Sequence, residues 1–222
     1  MINKETNFVQ AYNIDEFWRE TLQLCVAKGV DYVIEQGSYV GQIRRQLPFF
    51  SGRIVNPGHR PLSVCPPPGI PPSTTDDKIE SYFLKYLMSS EVEENEVYTY
   101  GSFIEPQLDR IIQLLNDSNG KTNQASITVG DVSTTFLDDP PCLRNISFKV
   151  INDRLQMTVY FRSWDLYAGL PENLGGLQLL KEYVLQTMDV EAADGDLVAF
   201  SDGLHIYEMY KDLVNVLCVE KW

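Results

Sequence analysis

The sequence is poor in cysteine, with four, and in histidine, with two, and it carries no surplus of basic residues. Cys25, Cys65, Cys142 and Cys218 are widely spaced and form no CxxC pair, which removes zinc knuckles and dithiol redox motifs from consideration. Four free thiols in a reducing compartment are expected, with Cys25 and Cys218 in the core and Cys65 in a loop. Lys and Arg number 18 against 31 Asp and Glu, for a net charge of −13. That balance excludes a nucleic-acid surface, which needs clustered cations to neutralise phosphates. No run approaches the roughly 18 apolar residues that span a bilayer. The start, MINKETNFVQ, lacks the apolar core of a secretory signal. A cytoplasmic chain without a membrane partner is expected. There are no internal repeats and no linker-like segment, so 1–222 is read as a single domain.

What is present is a mixture of helical and strand patterns without regular alternation, which predicts an α+β fold. IDEFWRETLQLCVAK (14–28) puts Ile14, Phe17, Trp18, Leu22 and Cys25 on one helical stripe, and Gly29 stops it. Strands are predicted in VDYVIEQG and YVGQIRRQLPFF. Residues 56–72 hold seven prolines and read as a surface loop or a flap. Helices follow in STTDDKIESYFLKYLMSS and PQLDRIIQLLNDSNG, with the acidic run EVEENE (91–96) between them as a solvated loop. QASITVGDV and the hairpin ISFKVINDRLQMTVYFRS, turning at Asn152-Asp153, are strands. A helix runs from about Glu172 to Met188, and GDLVAFSDGLHIYEMY is strand and turn.

The stretch DDPPCLRNISF (138–148) places two fixed φ angles directly before one thiol. Such stiffness adds nothing to a cysteine that only fills an apolar pocket. It does serve a nucleophile that must stand at a set distance from its target. Arg162 and Ser163 end a strand and suit a phosphate, although a surface pair of Arg162 with Asp165 accounts for that fragment equally well. Asn173, after Gly-Leu-Pro, is either a helix cap or an amide with an acceptor and a donor in fixed positions. An amide of that kind matches the O4 and N3–H edge of uracil, whereas cytosine presents the opposite polarity.

Taken in order, Pro140-Pro141-Cys142, Arg162-Ser163-Trp164-Asp165, Gly169-Leu170-Pro171-Glu172-Asn173 and His205-Ile206-Tyr207 resemble the thymidylate synthase family. The short archaeal-type members are the nearer comparison, since they share DPPCLR and FRSWDL. The intervals from Cys142 to Arg162 and to Asn173 match those of the family without a gap. YTYG and LDRIIQLLND are similar to its Tyr-Gly element and the helix after it.

The resemblance implies a mixed sheet packed with helices and a sheet-to-sheet homodimer. It implies a pyrimidine nucleoside monophosphate as substrate, dUMP going to dTMP. The donor implied is 5,10-methylenetetrahydrofolate or a related methylene-pterin, supplying carbon and hydride without a metal. Cys142 becomes the nucleophile that adds at C6 and makes C5 nucleophilic. Its pKa must be lowered by nearby positive charge, from Arg162 or secondarily Arg144. Arg162 and Ser163 fall at the phosphate, Asn173 at the base, and His205 and Tyr207 at the sugar hydroxyl. Asp165 falls near the reacting ring, Tyr100 beside a proton-relay water, and Glu80, in KIESYFLKYL, takes the place of a proton-managing glutamate.

Departures from the family pattern concern mainly the phosphate. Where the common enzymes place two adjacent arginines that reach into the partner's site, this chain has Thr122-Asn123-Gln124, so Asn123 and Gln124 offer hydrogen bonds without charge. The turn EQGSYVG lacks a further phosphate-binding arginine, for which Arg44, Arg45 and Arg53 are the candidate substitutes. Leu143 replaces a histidine that often follows the nucleophile, and little chain follows Tyr207 to close over the donor. The rival readings are a nucleotide 5-hydroxymethylase, which adds water in place of hydride, and a catalytically silent nucleotide-binding paralogue.

Overall fold

Asn13 accepts a hydrogen bond from the Glu16 amide and starts helix α1 (Ile14–Lys28), whose apolar stripe is buried as its spacing predicts. Phe17, Trp18 and Leu22 of that stripe are fully enclosed, each contributing on the order of 1.5–3 kcal/mol of burial. The computed structural model describes residues 6–92, 94 and 96–222. MINKE, and Glu93 and Asn95 of the acidic run, therefore lie outside the described residues.

Among the described residues, ten strands form two sheets. They are β1 (Phe8–Ala11), β2 (Val30–Val33), β3 (Ile43–Leu47), β4 (Phe50–Ile54), β5 (Ser126–Thr128), β6 (Leu143–Ile151), β7 (Arg154–Phe161), β8 (Trp164–Asp165), β9 (Ala193–Ser201) and β10 (Leu204–Tyr207). One sheet has the order β1-β4-β9-β7-β6-β5 and mixes parallel with antiparallel pairs; the other has the order β2-β3-β10-β8. The chain passes between the sheets three times over very short links, after Leu47, after Phe161 and after Ser201.

Along β7, Leu155, Met157, Val159 and Phe161 face the core and alternate with outward Gln156, Thr158 and Tyr160. Helices α1, α2 (Asp76–Tyr82), α3 (Gly101–Asp117) and α4 (Gly169–Thr187) supply the rest of one contiguous core, and α5 (Lys211–Leu217) adds Val214. The opposite face of the six-stranded sheet carries Ser51, Arg53, Ser147, Lys149, Thr158 and Tyr160, all exposed or half-buried. The fold is α+β, as predicted. No helix among the described residues is long and apolar enough to cross a membrane.

Asn152 and Asp153 both adopt positive φ, 52° and 56°, which makes the β6–β7 connection a type I′ turn at the predicted place. Three boundaries move. Helix α2 continues as a π-helical turn, Phe83–Leu87. Helix α3 begins at Gly101, five residues before Pro106, because Thr99 and Ser102 bond each other's backbone and side chains and stabilise that first turn. Helix α4 begins at Gly169, so Asn173 lies in its second turn and does not cap it. The capping position is Ala168, which offers no side-chain bond, and Asp165 holds the turn before it, accepting from the Tyr167 and Ala168 amides at 3.0 and 3.4 Å.

Gly101 fixes how the loop before α3 is seated. The Thr99 hydroxyl donates to the Ser89 carbonyl at 2.6 Å, and a Cβ on Gly101 would stand 2.1 Å from that oxygen. Gly101→Ala should therefore lower stability by about 1–3 kcal/mol, as overpacking does. Urea unfolding measures this, and an unchanged midpoint would show that the loop yields freely.

Candidate active site

Cys142 stands half-buried at the mouth of β6, and Arg162 at the end of the neighbouring strand, where its amide donates to the Cys142 carbonyl at 2.8 Å. The Arg162 guanidinium then wraps the preceding loop. Its Nε donates to the Pro141 carbonyl at 3.1 Å, and a terminal nitrogen donates to the Pro140 carbonyl and to Asp139 Oδ1, the latter at 3.2 Å. On the other side, the Tyr98 hydroxyl donates to the Asp139 carbonyl at 3.2 Å. The two prolines leave this loop with carbonyl acceptors and no amide donors, and Arg162 binds both carbonyls. The approach to the thiol is thus stiff in its dihedrals and clamped from two sides.

Burial pushes the Cys142 thiol up from its ordinary value; Arg162 opposes this, and Asp139 reinforces it. Arg162 does lower the thiol, as expected, but burial outweighs it and Asp139 adds to the burial. Arg144 does not act on the thiol: its guanidinium lies against Gly130, and its charge is felt at Tyr160.

Tyr100 meets the nucleophile through its neighbour, its hydroxyl accepting from the Leu143 amide at 3.2 Å. A chain of rings runs outward from it: Tyr86 edge-on at 4.9 Å, Tyr98 stacked at 6.2 Å, and Tyr82 stacked on Tyr86 at 5.6 Å. These tyrosines line two hollows of about 380 and 470 Å³ that meet at Tyr86 and Glu96. Glu172 borders the larger, half-buried and raised above its usual range by burial, with Lys78 opposing. The Tyr82 hydroxyl is buried and has no well-formed hydrogen bond among the described residues; it lies near Glu172 and next to the Asn173 side chain. Sequence reasoning missed Tyr82, Tyr86, Tyr98 and Glu172, although the i, i+4 spacing of Tyr82 and Tyr86 was available as a signal. Glu80 is exposed on α2, and its side chain makes no hydrogen bond among the described residues.

Asn173 Oδ1 accepts from the Trp164 indole at 2.9 Å. Asp165, in register with His205 across β8 and β10, is raised to about 6 by burial, with the backbone amides of the α4 turn opposing. His205 is 2% exposed, and its Nδ1 lies 2.8 Å from the Gly203 carbonyl, which must accept. Burial lowers the ring's pKa to about 4, so it is neutral near pH 7; with Nδ1 donating, Nε2 is then a buried acceptor, and it has no partner among the described residues. Tyr207 packs edge-on against His205 at 4.6 Å and against Tyr39 at 4.9 Å. Ser163 is half-buried between Arg162 and Trp164.

Of the three candidate arginines, only Arg44 adjoins this face, in register with Tyr207 and close enough to act on His205. Arg45 pairs with Asp31 and lies over Trp222, and Arg53 pairs with buried Asp196. Asn123 accepts from Lys149, and together they line a hollow on the outward sheet face. Lys149 lies seven residues along β6 from Cys142, about 23 Å at strand rise. Asn123 is thus not brought to this chain's own thiol; Gln124, beside it, is exposed.

The tyrosine faces and the half-buried Glu172 acceptor suit a flat heteroaromatic ring that carries N–H donors. Among the described residues, no cluster of three His, Cys, Asp or Glu side chains is arranged to hold a metal ion.

Comparison with known proteins agrees with this geometry. The family profile described as thymidylate synthase matches residues 97–220. A protein of Methanosarcina mazei named "Putative thymidylate synthase" is 27% identical over 215 residues, covering 93% of this chain and 92% of its own. A Methanothermobacter marburgensis protein of the same name is 27% identical over 217 residues, covering 92% and 95%. Among solved structures, thermostable thymidylate synthase A from Bacillus subtilis superposes with a TM-score of 0.68 at 15% identity, covering 92% of this chain and 83% of that one.

The balance at the thiol can be tested directly. Asp139→Asn removes the charge that raises the thiol and releases Arg162, so the pH profile of Cys142 alkylation should move to lower pH. At pH 7.5 the rate should rise roughly three- to tenfold, and Arg162→Leu should slow it. Iodoacetamide labelling read at the Cys142 peptide decides; no acceleration in Asp139→Asn would remove the role given to that carboxylate.

Proposed function

Since the chain belongs to the thymidylate synthase family, we propose that it transfers a one-carbon unit to C5 of a uridine monophosphate nucleotide, converting dUMP to dTMP. The observation that carries this reading is the pairing of a clamped, half-buried thiol with Arg162 on the adjacent strand, beside a tyrosine-lined hollow. The Cys142 thiolate adds to C6, the ring electrons move toward O4, and C5 becomes nucleophilic. The Asn173 carboxamide steadies the charge that develops at O4. C5 then bonds to the incoming carbon, loses its proton as that carbon's bond to its carrier breaks, and the thiolate leaves C6 as hydride reaches the transferred carbon. A methylene-pterin, or the folate form of it, supplies the carbon and the hydride when bound. Tyr82, Tyr86 and Tyr98 would flank its ring, with Glu172 as acceptor.

Neutral His205 offers Nε2 to a sugar hydroxyl that donates, and Tyr207 stands beside it. Arg44 and Arg162 are the cations we assign to the phosphate. Asp165 holds the turn that carries Asn173, and Tyr100 holds the amide next to the nucleophile. Ser163 adds a hydroxyl near the phosphate. Glu80 is assigned to a role outside the site, its place at the hollow being taken by Glu172. The reading includes a cytoplasmic homodimer that joins the outward faces of the six-stranded sheets. There Asn123 and Gln124, with Lys149, would face the partner.

Tritium release from 5-tritiated dUMP, with the methylene donor, tests the chemistry. Wild type should release label, and Cys142→Ser should lose this by several orders of magnitude while binding the nucleotide within a few-fold. Release that persists in Cys142→Ser would exclude the covalent adduct.

Oligomeric state tests the sheet assignment separately. Light scattering should give about twice the 25.3 kDa chain mass at micromolar concentration. Replacing Thr158 and Tyr160 together with lysine should shift it to monomer. A monomeric wild type would refute the dimer.

A further inference from the structure

Trp164 lies flat on Phe161, with ring centroids 4.1 Å apart and planes 5° from parallel, and is 2% exposed. Its side chain cannot turn without breaking that stack. The indole N–H can only donate, and it donates to Asn173 Oδ1 at 2.9 Å. The contact therefore decides which end of the carboxamide faces the indole. Turning the amide over would set its NH₂ against the indole N–H, two buried donors with no acceptor between them. Oδ1 keeps a second lone pair, and the NH₂ is left free of the indole.

We propose that Trp164 is a positioning residue that sets base preference by locking the Asn173 carboxamide in the orientation that reads uracil. This rests on the nucleotide reading above and adds a determinant to it. Uracil presents an acceptor at O4 and a donor at N3, which the locked NH₂ and the second lone pair of Oδ1 satisfy. Cytosine presents a donor at C4 and an acceptor at N3, which only the turned amide satisfies. An unrestrained carboxamide turns over at little cost and reads both bases. The indole N–H acts as the repulsive element against cytosine.

Trp164→Phe keeps an aromatic ring on Phe161 and deletes the donor. Calorimetric titration of wild type with dUMP, UMP, dCMP and CMP should show uracil nucleotides favoured, by about tenfold or more. In Trp164→Phe that ratio should fall by about tenfold, chiefly through tighter binding of the cytosine nucleotides. A folded variant with unchanged base preference would overturn the lock while leaving the nucleotide reading intact. If wild type bound none of the four nucleotides, the nucleotide reading itself would fall, and this inference with it. A second measurement does not depend on the variant folding. In ¹⁵N-labelled wild type, neither proton of the Asn173 NH₂ should come into van der Waals contact with the Trp164 indole proton, as read by proton–proton cross-relaxation. An NH₂ in contact with the indole proton would overturn the proposal.

Discussion

The hydrogen bonds from the Arg162 guanidinium to the Pro140 and Pro141 carbonyls are the constraint on which the rest of the site depends. Proline peptide units expose acceptors without donors, so a loop built from them is held by a cation with several N–H groups in one plane. Arg162 is such a cation, and the strand that carries it is already paired with the strand that leaves Cys142. One side chain therefore joins the loop geometry, the position of the sulfur and the local positive charge. Lysine, with a compact charge and no fixed fork, would keep the last of these and lose the first two.

The thiol at rest is under opposed influences. Burial favours its neutral form, Arg162 the ionised one, and Asp139 the neutral one again. Burial thus outweighs the cation, an exposed carboxylate adds to it, and the protonated form is the less reactive toward oxidants and stray electrophiles. The other titratable groups follow a similar logic. His205 is kept neutral and Tyr100 protonated by burial, so both enter the site as hydrogen-bonding groups of fixed polarity.

Much of this was legible in the sequence because its signals are local. The stripe of α1, the alternation along β7 and the Asn152-Asp153 turn are each dictated by residues within a few positions. Cys142, Arg162 and Asn173 stand at intervals that survive in linear form. What was not legible depends on distant contacts. Nothing near Glu80 in the chain reveals that α2 turns this residue outward while Glu172, on another helix, borders the hollow with Tyr82. The start of α4 was placed late because its capping position, Ala168, carries no side-chain cap, and the turn before it is held by Asp165 from strand β8. The commitment of Arg53 to Asp196 requires knowing that β4 lies beside β9.

The β6–β7 hairpin has a bearing on how the molecule assembles. Cys142 and Arg162 stand at the open ends of its two arms, with a tight turn between them, so the reactive pair has low contact order. Hairpins close within about 1–10 μs, and this one brings sulfur and guanidinium together without help from the remaining chain. Strand β10, which carries His205 and Tyr207, pairs on one side with β8 and on the other with β3, from near the other end of the sequence. The pairing with β3 closes a long loop at a larger entropic cost. The part of the site built on β10 therefore depends on a more distant contact than the part built on the hairpin, and local opening of the β3–β10 edge would leave Cys142 and Arg162 paired.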